Sequence, residues 1–212
     1  MNAFKNADGK SIVLAMIKAI QNNRDYLGEI DGLIGDGDHG MNMNKGFSMC
    51  EKSIMDEDLS FSECLDRLGD ILITEIGGSM GPIYGTIFMD MADSAQDAID
   101  GKVFSQMLNA GRDGLFEIIE ARVGDKTLVD VLAPACDAFE KAAAGGDDFA
   151  EALLKMKEAA EVGKESTREL VAKFGRSSRL GERSKGVLDA GAASCNIILQ
   201  AMADEMLNIL NK

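Results

Sequence analysis

The stretch Asp31-Gly32-Leu33-Ile34-Gly35-Asp36-Gly37-Asp38-His39-Gly40-Met41-Asn42-Met43-Asn44 places three aspartates within eight residues. Glycines separate them, so the backbone can bend and bring the carboxylates together. An apolar helical pattern begins directly after His39, which reads as a turn followed by a helix N-terminus. Three carboxylates held this close repel one another unless a cation neutralises them. Oxygen donors with no cysteine and a single histidine favour Mg²⁺ or Ca²⁺ over Zn²⁺. An EF-hand does not fit: counted from Asp36, Met41 stands at the glycine position and Phe47 at the closing glutamate. Three carboxylates leave coordination positions for water or phosphate oxygens, which is how Mg²⁺ bridges a protein and a nucleotide. The competing reading is a solvated acidic turn in which Asp38 caps the next helix.

Outward from the turn, the chain reads as helices throughout. Residues 8–29 carry a stripe through Ile12, Met16, Ala19, Asn23 and Tyr26, and all three aspartates are placed in the turn that follows. A second helix runs from near His39 to about Met55. Ser60-Phe61-Ser62-Glu63 is a capping box opening a third through Leu65, Leu68 and Leu72. A glycine-rich break, Gly77-Gly78-Ser79-Met80-Gly81-Pro82, precedes a fourth that extends to about Ile99. A fifth covers about 103–122, and a sixth about 127–143 with Thr127 as N-cap. A seventh runs from Phe149 through Leu170 and Phe174, and an eighth from Ala192 through Ile209. No alternating strand pattern and no internal repeat is visible. The expected fold is all-α: eight helices in one bundle or closed ring, a single domain over 1–212. The loop from Gly175 to Gly191 is long enough to suggest a functional role.

Composition supports this. Apolar residues make up 46% of 212 residues, enough for a substantial core, and there are only two prolines. A net charge of -14 argues against a nucleic-acid surface. A phosphate ligand would therefore need local neutralisation by metal, Lys, Arg or backbone N–H. Cys50, Cys64, Cys136 and Cys195 lie in apolar helical patterns without CxxC spacing, so buried free thiols are expected. With no signal-peptide pattern and no apolar run of about 18 residues, a soluble cytoplasmic protein away from the membrane is expected.

The glycine-rich break can aim several N–H groups at a phosphate, assisted by the helix that follows. No Walker A motif is present, since Gly-Lys-Ser/Thr is missing from both glycine turns. The alternative is a tight helix–helix connection. His39, the single histidine, is a phosphate contact or a structural side chain; its residue type alone does not make it a nucleophile.

Residues Ile34–Phe47 resemble the signature of the nucleotide-binding L subunit of bacterial dihydroxyacetone kinase. The resemblance continues through Gly77–Gly85, Gly124–Leu128, Gly175–Ser184 and Asp189–Ala192, in order along nearly the whole chain. It implies a barrel of eight antiparallel helices with nucleotide at one end. Asp31, Asp36 and Asp38 match the family's ligands for two Mg²⁺ ions. His39, Gly40, Met41 and Asn42 match its phosphate-side contacts, and Ser79 and Met80 its glycine-rich phosphate loop. Gly124, Arg176, Asp189, Ala190 and Gly191 match its remaining nucleotide contacts. Two positions depart from the pattern: Met80 stands where the family has Ser or Thr, and Ala190 where it has Pro.

The implied activity is Mg²⁺-dependent phosphoryl transfer from ATP, bound as such or regenerated on bound ADP, to dihydroxyacetone or a related short keto-sugar. A separate substrate-binding kinase subunit holds the sugar, so the chain alone is inactive. The nucleotide is either exchanged as ATP or retained as ADP and recharged by a phosphohistidine phosphotransfer protein. Other expectations compatible with the residues are a nucleotide-sensing regulatory partner without turnover, and a nucleotide module for another acceptor. The free-standing length argues against the last.

Overall fold

The helix expected over residues 8–29 is two helices in the computed structural model, which describes residues 2–211. α1 spans Lys10–Asn22 and α2 spans Arg24–Ile34. Between them, the Asn23 side-chain amide donates to the Ala19 carbonyl at 2.8 Å. Such a bond competes with the backbone ladder, which is how Asn interrupts helices. The restart carries α2 through Asp31. That carboxylate therefore projects from the last turn of a helix, and not from the turn beyond it.

The remaining helices are α3 (His39–Ile54), α4 (Phe61–Glu75), α5 (Met80–Asp93) and α6 (Gly101–Ile118), then α7 (Val129–Ala144), α8 (Phe149–Ser166) and α9 (Ala190–Leu210). The capping box at Ser60 and Glu63 is formed, and a second, not expected, caps α8 through Asp148 and Glu151. Several boundaries differ from expectation. α5 ends at Asp93, and Ile99 instead belongs to a strand, β2 (Ala98–Asp100), paired antiparallel with β1 (Ala3–Lys5) so that Phe4 faces Ile99. Strands of three residues are too short to leave a readable alternation. α8 stops at Ser166, so Leu170 and Phe174 lie beyond it; a 3-10 segment at Thr167–Glu169 follows it directly, and the loop expected from Gly175 contains another at Arg176–Ser184. α7 starts at Val129, and Thr127 Oγ1 accepts from the Val129 N–H at 3.1 Å.

From α2 to α9, each helix packs on the next, and α9 packs back on α1, closing the ring. α1 and α2 share one position, so the ring has the eight staves expected. Short connections make neighbours antiparallel. It follows that α3, α5, α7 and α9 all begin at one end, while α4, α6 and α8 begin at the other. The second end is filled by aromatic rings. Phe4 lies 6.0 Å from Phe61 and 6.4 Å from Phe149, centroid to centroid, and Phe104 lies 5.1 Å from Phe139. Each such buried ring contributes roughly 2–3 kcal/mol. One end of the barrel is thus plugged by its core and the other is left to the helix starts. Among the described residues, no helix is long and apolar enough to cross a membrane, and all four cysteines are buried and free, as expected.

Candidate functional site

A cavity of about 420 Å³ opens at the end where α3, α5, α7 and α9 begin, a size suited to a small ligand. His39 and Asn42 reach it from α3, Ser79 and Met80 from α5, and Thr127 and Leu128 from the approach to α7. Asp189, Ala190 and Gly191 reach it from the start of α9. Four helix N-termini therefore turn their positive dipole ends toward one space, which suits an anion.

Beside this space lie carboxylates. One oxygen from each of Asp31, Asp36 and Asp38 falls within 4.8 Å of the others. Asp38 occupies the N-cap position of α3 yet makes no side-chain cap bond. The carboxylate that meets α3 is that of Asp31, whose Oδ2 accepts from the His39 N–H at 3.3 Å. Glycine lets these segments approach: a Cβ on Gly40 would sit 1.9 Å from the Arg24 carbonyl oxygen. Gly37, at φ 77, supplies the left-handed residue of the turn. Arg176 reaches across from the long loop, paired with Asp36 and 3.8 Å from Asp38. Hard oxygen donors at this separation, partly exposed, fit Mg²⁺.

His39 is tied across the ring. Its Nε2 lies 2.8 Å from Ser194 Oγ on α9, and that hydroxyl lies 2.6 Å from the Tyr84 hydroxyl on α5. The Tyr84 hydroxyl also donates to the Gly191 carbonyl at 3.0 Å. Desolvation pushes the imidazole down to about 4, against the upward pull of Asp31, so the ring is neutral at pH 7.

The opposite wall is built from two loops. Asp130, buried at the start of α7, accepts from the Gly124 N–H at 2.5 Å and the Thr127 N–H at 2.8 Å. Asp125 accepts from the Arg122 N–H at 2.8 Å and from Lys173 Nζ at 2.6 Å. Lys126, between them, is 0% exposed. Its φ is 61, the one positive value outside glycine among the described residues, a conformation costing roughly 1 kcal/mol or more. Its ammonium donates to the carbonyls of Thr167 and Val187. Burial lowers its pKa while Asp189 and Asp130 raise it. Asp189 caps α9 by accepting from the Ala192 N–H at 2.8 Å, and desolvation pushes its carboxyl up to about 6.

Of the residues singled out from sequence, the three aspartates, His39, Asn42, Ser79, Met80, Arg176 and the Asp189–Gly191 run line the cavity. Gly40, Met41 and Gly124 do not: Gly40 is buried against α2, Met41 is 58% exposed, and the Gly124 N–H is engaged with Asp130. Ser79 is exposed and makes no cap bond, whereas Met80 packs on the core. Tyr84, Lys126, Asp130, Thr167 and Ser194 join the site without having been singled out from sequence. Asp130, three residues after Thr127, carried the usual side-chain-to-backbone turn signal; the others carried none.

Residues 33–204 match the DAK2 domain family. The chain is 37% identical over 184 residues to the Escherichia coli protein named PEP-dependent dihydroxyacetone kinase, ADP-binding subunit DhaL, covering 84% of this chain and 87% of that one. It is 34% identical over 185 residues to the Listeria innocua PEP-dependent dihydroxyacetone kinase 1, ADP-binding subunit DhaL, covering 86% and 88%. It is 30% identical to the D-erythrulose kinase of Mycolicibacterium smegmatis, covering 90% of this chain and 34% of that enzyme. In structure it resembles the dihydroxyacetone kinase of C. freundii with a TM-score of 0.70 at 22% identity, covering 92% of this chain. The chain spans about a third, 34%, of that kinase's length, and this likeness shows the fold.

Proposed function

The chain belongs to the DAK2 domain family, and from that premise we propose that it is the ADP-binding, phosphoryl-transferring subunit of a dihydroxyacetone-type kinase. One observation carries the reading: three carboxylates within 4.8 Å stand beside a cavity ringed by four helix N-termini. A cation site adjoining an anion site is what a Mg²⁺-bound nucleotide phosphate requires. Asp31, Asp36 and Asp38 hold the metal, two ions on the family resemblance. When bound, Mg²⁺ neutralises the terminal phosphates and orients them for in-line transfer. The N–H groups at the starts of α3 and α5, with Ser79 and Met80 at the latter, hold the phosphates. Arg176 adds a second positive charge from above. His39, fixed by Ser194, holds the α3 start in register with α9. Thr127, Leu128 and the Asp189–Gly191 run form the wall against the remainder of the nucleotide, with Gly124 and Asp130 shaping it from behind.

The names of the E. coli and L. innocua relatives support ADP as the resident nucleotide and phosphoenolpyruvate as the ultimate donor. We therefore read the partners as a substrate-binding subunit that holds the sugar and a phosphohistidine protein that recharges ADP. The similarity to erythrulose kinases supports a four-carbon keto-sugar as the alternative acceptor. One core cluster running from α1 through α9 supports a single domain, and four buried free thiols fit a reducing cytoplasm.

The test is calorimetry of the purified chain with ADP, with and without Mg²⁺, followed by an assay with dihydroxyacetone. Binding should require Mg²⁺ and be abolished by EDTA, and the chain alone should give no dihydroxyacetone phosphate. Equal affinity without metal, or robust turnover by the chain alone, would overturn the reading.

A further inference from the structure

Lys126 is a fully buried cation in a backbone conformation that glycine adopts at less cost. Its side chain accounts for this. The ammonium donates to the Thr167 carbonyl, at the end of α8, and to the Val187 carbonyl, at 2.5 Å, just before α9. These carbonyls are the two stems of one excursion of the chain. Between them the loop is braced internally: the Gly186 N–H donates to the Arg168 carbonyl at 2.8 Å, and the Ala172 N–H to Ser184 Oγ at 2.9 Å. The loop is also braced sideways, through Lys173 and Asp125. Compact loops with closely spaced ends are often functional, and this one carries Arg176 to the acidic cluster. Asp189, immediately after the second stem, donates its N–H to Thr167 Oγ1 at 3.1 Å, so the same junction sets the start of α9. An ammonium has three donors and no acceptor, and it suits two converging carbonyls that an apolar side chain would leave unpaired.

We infer that Lys126 is a positioning residue for nucleotide binding: it clasps both stems of the 167–187 loop and so sets Arg176 over the carboxylates. This rests on the reading of the cavity as a Mg²⁺-ADP site, and the test separates the two.

The first arm needs no nucleotide. Arg176, Arg179, Arg183 and Lys185 are all exposed in the loop, so trypsin reports its mobility. Lys126→Met should be cut there at least tenfold faster than the wild type, with an unchanged far-UV spectrum. Cleavage at the wild-type rate overturns the clasp. The second arm is a double-mutant cycle read by calorimetry with Mg²⁺-ADP. Arg176→Ala should weaken binding about tenfold and Lys126→Met by a similar factor. The double variant should be no more than threefold weaker than Arg176→Ala alone, because the lysine acts through the arginine. Multiplied effects, near 100-fold, would mean that Lys126 supports the fold without positioning Arg176, and would overturn the inference. Wild-type affinity in Lys126→Met would do the same. If Lys126→Met does not fold, Lys126→Gln, which keeps one donor group, is read by the same criteria. Failure of the wild type to bind Mg²⁺-ADP would sink the site reading and leave the proteolysis result standing.

Discussion

On one side of the cavity, three carboxylates within eight residues of sequence stand partly in water, held by turns and glycines of their own segment. On the other, Lys126 is fully buried and bonds to carbonyls 41 and 61 residues away. The first wall has charges that solvent and a cation can satisfy. The second has charges that protein atoms alone must satisfy. A group on the first wall is therefore free to bind, and a group on the second is committed to holding shape. Asp189 belongs with the second wall although it is an aspartate like the others: it caps α9, and it lies within the fields of Lys126 and Asp130.

The sharpest way to break this contrast is on the first wall. Asp36→Asn removes one charge from the cluster without changing its shape. Affinity for Mg²⁺-ADP should fall by roughly 100-fold or more, about 2.7 kcal/mol, with the thermal midpoint of the unliganded protein unchanged or slightly raised. Calorimetry showing affinity within threefold of wild type would remove the carboxylates from the metal site.

A smaller effect is expected on the second wall, and it is one of stability. Because desolvation raises the Asp189 pKa to about 6, the folded protein keeps that proton longer than the unfolded chain, whose aspartates titrate near 4. The corresponding stability is fully present below about pH 4 and is lost as pH rises through about 6. Asp189→Asn retains an oxygen for the Ala192 N–H and cannot ionise. The wild-type-minus-variant difference in urea unfolding energy should therefore decline from pH 4 to 7 by an amount on the order of 1–2 kcal/mol, reduced by the group's residual exposure. A flat difference would show that Asp189 is hydrated like the first wall.

The smallest effect is expected at Ser79. Its side chain is exposed and makes no cap bond, and Met80 beside it packs on the core. On the proposed function, backbone N–H groups then hold the phosphates there, and Ser79→Ala should change ADP affinity by less than roughly 1 kcal/mol, the net value of one neutral hydrogen bond. A loss above tenfold would show that the serine hydroxyl does the work of the hydroxyl usually found one position later.

The same contrast explains what could be read from sequence. The helices were legible because their apolar stripes repeat over many residues, and the acidic cluster because its members are nearly consecutive. The α1/α2 break was hidden because Asn23 fits the stripe, and only its amide bond to Ala19 reveals the interruption. The β1/β2 ribbon was hidden because each strand is three residues long and its partner lies far away in sequence. The second wall was hidden for a different reason. Lys126 acts on main-chain carbonyls, which every residue possesses, so no residue type at positions 167 or 187 announces the contact. Ser194 meets His39, and Tyr84 meets Ser194, only because the ring closes.

That closure has a consequence for how the protein is made. Most helices pack on a neighbour that is adjacent in sequence, contacts that form quickly. The seam between α1 and α9 joins segments separated by most of the chain. During synthesis, the apolar faces of α1 and α8 must stay without their last partner until α9 has left the ribosome. α9 also brings Ala190, Gly191 and Ser194. The final stave to arrive both seals the barrel and completes the cavity, so a nascent chain halted before residue 190 has the acidic turn but no pocket to use it in.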